Sequence, residues 1–112
     1  MKRIFLVVVL VSAFAGNASA QDAARGKQVY TESKCANCHS VAGQGNKKGP
    51  LDDVGIKLTA VDIRKWITEA PEMAAKAKAD RKPPMKELLT LPKEDLDALV
   101  AYLQTLKTPP KK

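Results

Sequence analysis

The chain has 112 residues, with 19 Lys and Arg against 12 Asp and Glu for a formal charge of +7, and 45% hydrophobic but only 4% aromatic residues. This length supports one domain. The basic excess by itself offers no case for nucleic-acid binding and fits either acidic partners or plain solubility.

The chain opens with Lys2 and Arg3, then an apolar run from Ile4 to Ala15, then small residues ending in "ASA" at 18–20. This is the layout of a secretory leader cleaved before Gln21, and its apolar run is shorter than the roughly 20 residues a membrane-spanning helix needs. The expectation is an exported, periplasmic mature protein running from Gln21. Both phenylalanines, Phe5 and Phe14, leave with the leader, so Tyr30, Trp66 and Tyr102 are the only aromatic side chains left. A domain this small with so thin a core calls for a staple or a bound apolar body.

Three amphipathic helical patterns follow. The first covers about Ala23 to Ser33, with Gly26, Val29, Tyr30 and Ser33 on one face. Gly26 costs that helix about 1 kcal/mol relative to Ala, which close packing against another backbone would explain. The second runs from about Ala60 to Glu69, with Ile63, Trp66, Ile67 and Ala70 on one face, Thr59 as N-cap and Pro71 closing it. The third carries Leu96, Leu99, Val100, Leu103 and Leu106 at helical spacing, with acidic residues around its first turn and either Thr90 or Pro92 at its start. No segment alternates long enough to predict a strand. The expected architecture is all-α, with long loops at about 40–58 and 79–91 and a disordered Pro-rich tail over 107–112.

Between the first two helices lies "CANCH", which holds Cys35, Cys38 and His39, the chain's only cysteines and histidine. A disulfide across two residues would constrain the unfolded chain little. A thioredoxin-like centre would need a βαβ context, and a zinc site would need a fourth ligand; neither is present. Two thiols that reach the two vinyl groups of one porphyrin, with an imidazole delivered to its iron, use all three residues. One covalent haem would also be the missing apolar body.

The chain resembles the class I cytochromes c over nearly the whole mature length. The matching pieces are "ARGKQVY", "CANCH", "KGPLDDVG", "DIRKWI", a Met in a proline-flanked loop and "DLDALVAYLQTL". The resemblance implies a cytochrome c fold, three main helices with shorter segments and long loops around one haem c, in a domain over 21–106. It implies that Pro50 offers its carbonyl to the His39 ring, that Trp66 lines the haem pocket, and that Gly26 and Tyr102 mark the crossing of the first and last helices. It assigns the sixth iron ligand to Met85 in "RKPPMKEL", whereas Met73 reads as an apolar contact or a surface residue of a short helix. In this sequence Lys86 follows Met85, where many relatives have Pro.

With His39 and Met85 on the iron, the expected function is a one-electron carrier, not an enzyme. Lys34, Lys47, Lys48, Lys82 and Lys86 are expected to steer acidic redox-protein partners. The alternatives are a cytochrome subunit of a larger oxidoreductase complex, or a five-coordinate sensor or peroxidase if Met85 does not bind.

Overall fold

The computed structural model describes residues 18–109, with side chains from Asp22 onward. The leader reading therefore lies almost wholly outside the described residues. The order is α1 (Ala18–Glu32), a 3₁₀ turn (Cys35–Asn37), β1 (Ser40–Val41), β2 (Gln44–Gly45), α2 (Val54–Lys57), α3 (Ala60–Thr68), α4 (Ala70–Ala77) and α5 (Lys93–Gln104).

Helices α1 and α5 form the main contact of the fold. At their crossing, a methyl group on Gly26 would collide with the carbonyl of Ala98 and stand 2.6 Å from Tyr102 Cβ. Glycine is thus the residue that lets the two backbones meet. Beside it, the rings of Tyr30 and Tyr102 meet edge to face with centroids 5.7 Å apart. Arg25 reaches across to both carboxylate oxygens of Asp95, at 3.0 and 3.1 Å.

Helix α3 closes the third side of the core. Ile63 and Ile67 join Val29, Tyr30, Leu99, Val100, Tyr102 and Leu103 in one buried cluster. The Thr59 side chain accepts from the Asp62 N–H at 3.2 Å, the expected N-cap. Arg64 pairs with Asp97 and pins α3 to α5.

The structure refines several expectations. Helix α1 begins at Ala18 and so continues past the predicted cleavage point. Pro71 lies in the first turn of α4, where its missing N–H has no helical partner to lose. It opens a helix as well as ending one. Pro92, not Thr90, holds the N-cap position of α5. The short hairpin β1–β2 is the part of the fold without an alternating sequence signal. It is set by its two-residue turn, in which Ala42 and Gly43 both have positive φ, at 50° and 79°.

The expected disorder of the tail needs correcting at its start, because Thr108 donates to the Asp52 carbonyl at 2.8 Å. Just before it, the Leu106 carbonyl accepts from Gly55 at 2.8 Å, so the chain end is laced onto the segment around α2.

Candidate functional site

Helix α1 stops at Glu32, and Lys34 turns the chain through the left-handed region, at φ 58°. The next residues form one tight turn. The Cys35 carbonyl accepts from both Cys38, at 3.1 Å, and His39, at 2.9 Å. Residues at i, i+3 and i+4 of such a turn share a face, so Cys35, Cys38 and His39 lie on one side of it. Asn46 clamps the turn from outside: its N–H meets the carbonyls of Ala36 and His39, at 3.0 and 2.9 Å, and its amide reaches Asn37 at 3.1 Å.

The imidazole is oriented by one bond, from Nδ1–H to the Gly49 carbonyl at 3.0 Å. A carbonyl only accepts, so Nδ1 carries the proton and Nε2 keeps its lone pair for a ligand. This corrects the expectation for Pro50, which is exposed and not the acceptor. Ser40 and Pro50 form a parallel bridge in which Ser40 bonds to the neighbours of Pro50, donating to Gly49 and accepting from Leu51. That register aims the Gly49 carbonyl, with its two lone pairs, at both Ser40 N–H and His39. Burial is the main cause that holds the His39 pKa below its ordinary value, with the nearby Arg81 cation acting the same way and the Gly49 bond opposing both. A lowered pKa favours the neutral ring that metal ligation requires.

The two thiols are half-buried and unbridged. Burial pushes the Cys35 thiol up to about 11, helped by Cys38. A redox-active thiol is activated by the opposite shift, so the burial of Cys35 lends the thioredoxin-like reading no support. Among the described residues, no group of three or more Cys, His, Asp or Glu is placed to hold a metal ion.

The surroundings fit a large apolar group. Cys35 packs against the buried cluster together with half-buried Leu51, Leu58, Leu88 and Leu91. A porphyrin attached there would cover apolar surface that the side chains alone leave partly wet. Trp66 is half-buried on α3, beside buried Ile67.

Met85 is half-buried in an open cleft of about 460 Å³, with Pro71, Ala74, Pro84 and Leu89 among its neighbours. Met73 is half-buried on α4. The loop of Met85 is tied to α3 by the bond from Leu88 N–H to the Ile67 carbonyl, 2.8 Å.

Gly49, although part of "KGPLDDVG", and Asn46 have no role in the sequence reading. The signal for Gly49 was local: Pro50 biases the residue before it toward extended backbone, and that presents its carbonyl. Asn46 has no comparable signal, since its role depends on where the hairpin returns.

A helical domain with a CxxCH turn against its core defines a c-type haem protein. The family model described as "Cytochrome c" matches residues 23–107, and the chain belongs to that family. Membership implies haem binding and electron transfer. Over 92 residues, 74% of this chain, it is 30% identical to a "Cytochrome c oxidase subunit 2" of Alkalihalophilus pseudofirmus (strain ATCC BAA-2126 / JCM 17055 / OF4). The match spans only 25% of that relative's length. No solved structure matches the chain. Among the described residues, no helix is long and apolar enough to cross a membrane.

Proposed function

We propose that this protein is an exported one-electron carrier with one covalent haem, held by thioethers to Cys35 and Cys38 and ligated by His39 Nε2 and Met85 Sδ. The observation that supports it best is the single turn that brings two thiols together with an imidazole whose Nδ1–H is already bonded to Gly49. When bound, the haem supplies a ferrous–ferric couple. The chain's own contribution is to hold both thiols in one turn, fix the imidazole tautomer, exclude water with Leu51, Leu58, Leu88 and Leu91, and offer a soft thioether from the Met85 loop. Two strong-field ligands leave no open coordination position, so the protein passes electrons and is not an enzyme. Trp66 lines the pocket in this reading, and Pro50 acts by setting the register of Gly49.

Exposed Lys34, Lys47, Lys48, Lys82 and Lys86 supply a basic docking surface for acidic redox proteins. The leader directs the chain to the periplasm, and N-terminal sequencing of the mature protein, expected to begin at Gln21, checks that.

The test is the absorption spectrum of the ferric protein from cells able to attach haem, compared with Met85→Ala and Met73→Ala. The weak red charge-transfer band of a methionine–iron bond is expected in the parent and in Met73→Ala, and lost in Met85→Ala. A parent that lacks the band and binds carbon monoxide when reduced would sink the two-ligand carrier. A second reading, a cytochrome subunit of a larger oxidoreductase complex, draws on the similarity to an oxidase subunit. Stable co-purification of an oxidoreductase with the protein would favour it.

A further inference from the structure

Arg81 opens the "RKPPMKEL" stretch that carries Met85, but the sequence reading gives it no role. It stands in the irregular segment after α4, four residues before Met85, yet its guanidinium reaches the His39 loop. A side chain on Gly49 would run at once into Arg81 Nη1, the Cys38 carbonyl and, at 3.0 Å, His39 Nδ1. The absent side chain is what lets the cation come so close. No carboxylate among the described residues forms an ion pair with Arg81.

We infer that Arg81 is a positioning residue of the redox centre: its guanidinium keys the Met85 segment onto the Gly49–His39 turn and sets a positive charge beside the proximal imidazole. This rests on the haem reading above. The oxidised centre carries one more positive charge than the reduced one, so a cation beside its imidazole disfavours oxidation and raises the reduction potential. Arg81 is exposed, so solvent and salt screen that effect. Potential and ionic strength are therefore coupled through this residue.

The experiment is a spectroelectrochemical titration of the haem-loaded protein at low and high salt. It compares the parent with Arg81→Gln, Arg81→Lys and Lys27→Gln, the last being an exposed cation on α1. Arg81→Gln is expected to shift the midpoint downward, with a weaker salt dependence and the red methionine band retained. Arg81→Lys keeps the charge and most of the parent potential, and Lys27→Gln moves it far less. The inference is overturned by an unchanged midpoint in Arg81→Gln, by an equal shift in Lys27→Gln, or by loss of the methionine band, which would trace the shift to ligation. If the parent itself carries no covalent haem by mass spectrometry, the underlying reading fails and takes this one with it. A parent that carries haem and an Arg81→Gln midpoint that stays put isolate the failure to Arg81.

Discussion

The amide of Leu88 donates to the carbonyl of Ile67 at 2.8 Å, and so ties the loop that carries Met85 to the end of the helix that carries Trp66. The carbonyl is available because it lies in the last turn of α3, where helical acceptors have no partner further along. A helix end thereby holds a loop that has no regular structure of its own.

That bond makes the first prediction. Leu88→Pro removes the donor, whereas Leu88→Ala keeps it and loses only packing. Leu88→Pro is expected to bind carbon monoxide much faster in the ferrous state than Leu88→Ala, because the Met85 loop is released. Equal rates for the two variants would mean that packing, not the hydrogen bond, holds the loop.

Gly26→Ala should destabilise the protein despite the better helix propensity of alanine. The added methyl gains about 1 kcal/mol in α1. It must then force the Ala98 carbonyl and Tyr102 Cβ away, an overpacking that typically costs about 1–3 kcal/mol and more where backbone has to move. Guanidinium unfolding should give a lower midpoint than the parent. An unchanged or higher midpoint would contradict the close crossing.

The Tyr30 hydroxyl is buried without a hydrogen-bond partner. Tyr30→Phe is therefore expected to be neutral, or stabilising by up to about 1 kcal/mol, near pH 7. Burial, the main cause, raises the Tyr30 pKa to about 12. The folded value lies above the unfolded one of about 10, so this stabilisation is complete below about pH 10 and is lost as pH rises through the folded value. Unfolding free energy should fall over that window in the parent and fall less steeply in Tyr30→Phe. Identical alkaline profiles would show that Tyr30 is not the group responsible.

Asp97 answers at the acid end. Its hydrogen bond from Arg64 is the main cause that lowers its pKa, with Lys93 adding to it at 3.3 Å. A depressed carboxylate stabilises the fold above its unfolded value and loses that contribution as pH falls through the folded one. Acid unfolding of Asp97→Asn should be shallower below about pH 4 than that of the parent. Coincident curves would assign acid sensitivity elsewhere.

The parts of this protein that were legible in its sequence depend on local spacing. Helical periodicity located the apolar faces of α1, α3 and α5, and Ile63, Ile67, Leu99, Val100 and Leu103 are buried as that spacing requires. Three residues of one turn meet wherever that turn forms, so Cys35, Cys38 and His39 could be grouped without coordinates. Gly26 also stood out, because a glycine inside a helix needs a reason and a crossing backbone supplies one.

What the chain's spacing could not decide are contacts between segments far apart along it, which depend on how loops return. Whether Gly49 or Pro50 receives the His39 proton turns on the register of a bridge between two loops, and a shift of one residue reverses which carbonyl faces the ring. The approach of Arg81 to Gly49 and the anchoring of the Met85 loop by Ile67 likewise have no periodic signature. The sequence by itself determined the helices α1, α3 and α5, the haem-type motif and the candidate ligands, since those follow from neighbours three and four residues apart, whereas α2 falls inside the expected 40–58 loop and α4 was not among the three patterns. Only the tertiary structure decided which carbonyl orients the imidazole and which cation stands beside it, because hydrogen bonds and charges act over distances that only the folded chain sets.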